Sequence, residues 1–75
     1  MTRLGVLKPR KLIRALERAG YFEVHQRGSH VIMKHFTTGR RVSVPFHGGR
    51  DLPRPVTKKI LLESGLSEDD LIRLL

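Results

Sequence analysis

Four histidines, His25, His30, His35 and His47, are the side chains of this chain suited to proton exchange near neutral pH, because an unperturbed imidazole titrates near pH 6.5. His30 has the most telling context. It follows Gly28-Ser29, a pair of small turn-forming residues, and opens Val31-Ile32-Met33, the most hydrophobic strand-like run. A tight turn that delivers a histidine to a strand end presents it as a general acid or base, and Gly28 lets the backbone approach an anion closely. His47 lies in a glycine- and proline-rich stretch and is the candidate second imidazole, for acid–base work or for positioning a substrate. His25 and His35 read as ordinary strand-end residues. Ser29 as a nucleophile needs a base and an orienting acid, and no such acid is near, so turn geometry accounts for it. The histidines show no HxH or HExxH spacing and no accompanying acid cluster, which argues against a metal site.

The elements that must position these residues follow from periodicity. Pro9 suits a first helical position. Leu12, Ile13, Leu16 and Ala19 then recur at helical spacing before Gly20, with Lys11, Arg14, Glu17 and Arg18 on the outer face. From Tyr21 the period becomes two. Phe22 and Val24 alternate with Glu23 and His25, which predicts a strand with Phe22 and Val24 on its buried side. Gly28-Ser29 predicts a hairpin into an antiparallel strand from His30 to about His35. Thr37-Thr38-Gly39 makes another turn, and Arg41 to Val44 forms a third strand ended by Pro45. With Val31, Met33, Val42 and Val44 turned toward helices, parity collects His25, His30, Lys34 and Arg41 on the opposite, polar and basic face.

Phe46 to Pro55 is irregular. Val56, Ile60 and Leu61 mark a second helix stopping at Gly65, with Lys58 and Lys59 in its first half. Ser67-Glu68-Asp69-Asp70 opens a short terminal helix with a serine cap, three acids at the positive end of its dipole, and Leu66 and Leu71 spaced as a hydrophobic staple. The order helix, strand, strand, strand, helix, short helix predicts an α+β architecture, a three-stranded antiparallel sheet with helices on one face. Double-stranded-RNA-binding domains (dsRBDs) share this order.

Composition bounds the function. Seventy-five residues predict a single domain over 1–75 with a small core, and 39% hydrophobic residues with no tryptophan leave no deep cavity for a large cofactor. No cofactor is expected. The absence of cysteine removes disulfides and thiolate chemistry and suits a reducing cytoplasm. No run has signal-peptide character or approaches the roughly 20 apolar residues of a membrane span. Charge points to a partner: 15 Lys and Arg against 7 Asp and Glu give +8. The asymmetry is strong. Residues 1–60 carry 14 basic and 3 acidic side chains, and residues 61–75 carry 1 basic and 4 acidic. Such a body attracts polyanions, nucleic acid foremost.

Together, helix-Gly20-Tyr21-Phe22, Gly28-Ser29-His30-Val31, Val44-Pro45-Phe46-His47 and the Ile60-to-Gly65-Leu66 pattern resemble the HicA-type toxins, also called the YcfA-like family, across nearly the whole chain. The resemblance implies a dsRBD-like fold, metal-independent mRNA interferase activity and a HicB-type antitoxin that binds and neutralises the toxin, the chain being monomeric alone and hetero-oligomeric with that partner. It also implies that His30, in the Gly-Ser-His motif, is the catalytic histidine. One departure is Arg54-Pro55, where many members open the second main helix with a Gly-Thr-like pair.

The chemistry of RNA cleavage explains why a single histidine can suffice. The ribose 2′-OH is supplied by the substrate, so the protein needs only a base, an acid and positive charge for the phosphorane. On this reading His30 does one of the proton-transfer jobs, Lys34 and Arg41 bind phosphate and stabilise charge, and Gly28, Ser29 and His47 complete the RNA-binding set. Two other classes share the same features: a noncatalytic dsRBD-like RNA-binding module, and an interaction protein whose basic face grips an acidic partner.

Overall fold

A computed structural model describes residues 4–75 of the chain. The first helix, α1, spans Pro9–Arg18 with Pro9 at its first position, where a missing N–H costs nothing. Leu12, Ala15 and Leu16 bury completely. The chain turns at Gly20 (φ 103°), where a Cβ would lie 2.7 Å from His35 Nε2; both the conformation and the space call for glycine. Three strands follow, β1 (Tyr21–Arg27), β2 (His30–His35) and β3 (Arg41–Pro45), then α2 (Arg54–Ser64) and α3 (Glu68–Leu74). The strands form one antiparallel sheet in the order β1-β2-β3. This α+β arrangement is consistent with a dsRBD-like fold.

The core lies between the sheet and the helices. Val31 and Met33 of β2 and Val42 and Val44 of β3 meet Leu12 and Leu16 of α1, Ile60 and Leu61 of α2 and Leu71 of α3 in one buried cluster. Polar bonds fasten the layers at their margins. The Tyr21 hydroxyl donates to the Ser64 carbonyl at 2.8 Å, joining the start of β1 to the end of α2, and Arg18 Nη1 donates to the Leu74 carbonyl at 2.6 Å, holding α3 against α1. Gly65 ends α2 in the left-handed conformation. Ser67 caps α3 in a full capping box: its hydroxyl accepts from the Asp70 N–H while the Asp70 carboxylate accepts from the Ser67 N–H, both at 3.0 Å. Asp70 thus fills the place usually held by Glu or Gln.

β1 departs from expectation. Phe22 and Val24 are 45% and 38% exposed, and only Tyr21 of this strand is buried. The register shifts between Glu23 and His25: Glu23 pairs with Met33 and His25 with Ile32, so Val24 is the extra residue of a bulge. Paired residues share a face, so Tyr21, Glu23 and Gln26 fall on the helix side and Phe22, His25 and Arg27 on the open side. Strict alternation therefore misassigns Phe22. His25 does lie on the expected open face, but only because the bulge resets the parity. Pro45, expected to end β3, is its last paired residue, opposite His30.

Candidate functional site

The hairpin between β1 and β2 has a two-residue turn. Gly28 sits at φ 59° with open space around its missing Cβ, and no residue other than glycine has a positive φ among those described, which matches the glycine requirement of a type II′ turn. The turn fixes the pair that flanks it, Arg27 opposite His30. His30 begins the central strand, is exposed, and projects from the open face of the sheet.

His47 arrives from the other side of the same corner. The Phe46 N–H donates to the Ser29 carbonyl at 2.6 Å, which fastens the start of the β3–α2 loop to the hairpin turn. Further on, the Leu52 N–H donates to the Leu7 carbonyl at 2.7 Å, an isolated antiparallel bridge, and Lys8 pairs with Asp51 at 2.9 Å. Leu52 is buried in the core. A loop without regular structure is thus anchored at both ends, and the imidazoles of His30 and His47 come to a centroid separation of 5.9 Å with their rings at 82°. Both are exposed.

The open face is a grid of three rows. Arg27, His30 and Pro45 form one end, His25, Ile32 and Ser43 the middle, and Phe22, Lys34 and Arg41 the far end. Of the expected site residues, the structure brings together Gly28, Ser29, His30 and His47. Lys34 and Arg41 pair with each other four residues along β2 from His30, about 13 Å away at strand spacing, so they do not lie against the histidine pair. The cation directly across from His30 is Arg27. Sequence reasoning missed it, although a two-residue turn obliges its flanking residues to pair.

His35, expected to be an ordinary strand-end residue, is a structural anchor. Its Nε2 lies 2.9 Å from the Ala19 carbonyl, and its Nδ1 accepts the N–H groups of Thr37 and Thr38 at 3.1 and 3.2 Å. With Nδ1 accepting, the ring donates from Nε2. The imidazole also meets the Tyr21 ring edge-on at 4.9 Å. Tyr21 itself is buried, which raises its phenol pKa, while the positive charge of Arg40 pulls the other way. Among the described residues no three His, Asp or Glu side chains group closely enough to hold a metal ion, and no helix is long and apolar enough to cross a membrane.

Fold and site together define a class: a small α+β protein of dsRBD-like fold that presents two imidazoles at the corner of an open sheet face rich in cations. Residues 9–66 match the family described as HicA toxin of bacterial toxin-antitoxin. The chain belongs to this HicA toxin family and is the toxin of a toxin–antitoxin system, which implies an antitoxin as its partner. Comparison with curated proteins finds no match.

Proposed function

We propose that the chain is a metal-independent endoribonuclease that cleaves mRNA with His30 as its catalytic histidine, and that a HicB-type antitoxin silences it by covering that residue. The observation that carries this reading is the exposed pair His30 and His47, 5.9 Å apart between ring centroids. One imidazole in its neutral form takes the proton from a ribose 2′-OH, and the 2′-oxygen bonds to the adjacent phosphorus. The bond from phosphorus to the 5′-oxygen breaks, and that oxygen takes a proton from the second imidazole in its protonated form. The products are a 2′,3′-cyclic phosphate and a 5′-OH. Two imidazoles cover both proton transfers. Arg27, across from His30, supplies positive charge for the phosphorane, and Gly28 and Ser29 keep the turn slim enough for a phosphate to approach. Lys34 and Arg41 hold phosphates farther along the strand.

The antitoxin reading rests on the same face. Half-buried Ile32 holds the centre of the face and exposed Phe22 one corner of it, with Arg27, Lys34 and Arg41 around them, a mixed apolar and basic surface that suits a partner with apolar and acidic groups. A complex that left His30 open to RNA would overturn this mode of inhibition.

The test is incubation of the purified protein with a long single-stranded RNA in EDTA, wild type beside His30→Ala. Wild type is expected to cut and the variant to lose about 10²–10⁴-fold in rate, the span of general acid–base catalysis. DNA of the same sequence lacks the 2′-OH and stays intact. If neither protein cuts and both bind RNA equally, the chain is a noncatalytic binding module instead.

A further inference from the structure

A second surface meets the histidine corner and is assigned no part in the chemistry above. Between α1 and the β3–α2 loop lies a solvent-open cleft of about 500 Å³. One wall is cationic, formed by Lys8, Arg10, Lys11 and Arg14, and the other is Phe46 with Gly48 and Gly49. No acidic side chain lines it. Lys8 is engaged by Asp51, but the side chains of Arg10, Lys11 and Arg14 have no ion-pair or hydrogen-bond partner among the described residues and are exposed. The glycine wall is open backbone: a Cβ on either Gly48 or Gly49 would meet nothing within 4 Å, and both adopt positive φ. The adjoining hollow, between α1 and β1, is different, because Glu17 and Glu23 line it beside Arg10 and Arg14. Negative charge therefore bounds the cationic cleft on the β1 side, while on the other side it leads past Gly48 to His47 and Arg50.

We infer that this cleft is a phosphate track, in which Arg10, Lys11 and Arg14 grip the backbone of the single-stranded RNA whose adjacent bond lies at His30 and His47. The inference rests on the ribonuclease reading for its ligand. Three unpaired cations at positions 10, 11 and 14 share one side of the first turns of α1, and converging positive charge in a cleft with no acid in its lining selects a polyanion over a neutral or mixed-charge ligand. Phe46 gives the opposite wall an aromatic surface on which a base can stack. The outer face of α1 is thereby divided in function: its first half faces the cleft, and Arg18 in its last turn is spent on the Leu74 and Leu75 carbonyls.

The experiment measures binding of wild-type protein to a fluorescent single-stranded RNA carrying 2′-O-methyl groups throughout, which cannot be cut because its nucleophile is blocked. The variant Arg10→Gln/Lys11→Gln/Arg14→Gln is compared with wild type and with Lys58→Gln/Lys59→Gln, a control that removes charge from α2. Loss of three phosphate contacts lowers the slope of log K against log salt by about 2 and weakens binding about tenfold or more at moderate salt, while the control keeps nearly all of the slope. The substituted positions are exposed, so the melting temperature reports intact folding. Equal slopes for wild type and the triple variant overturn the inference, as does an equal loss in the control, which would mean diffuse attraction. RNA binding retained with capture of an acidic protein lost also overturns it and gives the cleft to a protein partner. Cleavage of unmodified RNA separates this inference from the one beneath it. If wild type cuts and the triple variant binds and cuts equally well, the track fails and the nuclease stands. If wild type binds through these cations but never cuts, the track stands and the nuclease reading fails.

Discussion

At the scale of single residues, the histidines divide by what surrounds their ring nitrogens. His35 has both nitrogens satisfied by backbone within its own corner, so it is spent on structure. His35→Ala leaves two N–H groups and a carbonyl without their partner and is expected to cost about 1–3 kcal/mol in chemical denaturation, with the surviving folded protein as active as wild type. His30 and His47 have no such engagement, and their rings meet edge-on at the exposed corner. If they transfer protons as a unit, His47→Ala also slows cleavage, and the double variant is little slower than the worse single one, because groups acting together are not additive. Single-turnover rates check this, and independent, multiplying losses would count against a shared step. Tyr21→Phe removes the bond to the Ser64 carbonyl, for a loss of about 1 kcal/mol. It also removes an alkaline sensitivity. A phenol whose folded pKa is raised contributes stability that is present below its ordinary value of 10.0 and lost as pH rises through the folded value.

At the scale of elements, the informative features are those that break a simple period. The bulge at Val24 rotates the end of β1 by one residue and so delivers Arg27, rather than Gln26, to the face that holds His30. Deleting Val24 removes the unpaired residue and leaves the pairs on either side in register, Arg27 opposite His30 included, so the variant is expected to fold and to cut RNA like wild type, checked by cleavage rate beside a thermal melt. The capping box of α3 can be tested by Ser67→Ala, with a loss of about 1 kcal/mol in thermal or chemical melts. Asp70 adds a pH dependence. Its pKa lies below the ordinary 3.8, chiefly through the hydrogen bonds with the Ser67 backbone and hydroxyl and then through Arg73. A depressed carboxylate contributes stability present above the unfolded value and lost as pH falls through the folded one. The difference in melting temperature between wild type and Asp70→Asn should therefore shrink below about pH 4. The effect is small at an exposed site, since solvent screens it.

At the scale of the whole molecule, stability and charge pull in different directions. A chain this short is worth about 4–11 kcal/mol against unfolding at ordinary per-residue values, so one core truncation is serious. Leu16 is fully buried between α1 and the sheet, and Leu16→Ala is expected to cost about 2–5 kcal/mol, measured as a large drop in denaturation midpoint. The net charge of +8 adds self-repulsion that a polyanion relieves. The melting temperature should rise when RNA binds, and the rise should fade as salt increases.

The sequence by itself determined the elements and most of the sheet. Pro9, Gly20, Gly28-Ser29, Gly65 and Ser67 act locally, through one or two backbone angles or one cap, and each stands where its chemistry placed it. The inward set Val31, Met33, Val42 and Val44 is legible because alternation in β2 and β3 is uninterrupted and both strands are covered by helices. The site was legible only in part. His30 could be read from its turn, but its neighbours are matters of register and long-range contact. The bulge that exposes Phe22 has no strong local signal, since nothing in Glu23-Val24-His25 requires an extra residue there. The approach of His47 depends on the Phe46–Ser29 bond, the Leu7–Leu52 bridge and the Lys8–Asp51 pair, contacts made across 17 to 45 positions of chain. The cationic cleft likewise exists only once the β3–α2 loop is laid across the first turns of α1. Local conformational preference chose the parts, and tertiary packing decided which side chains face one another.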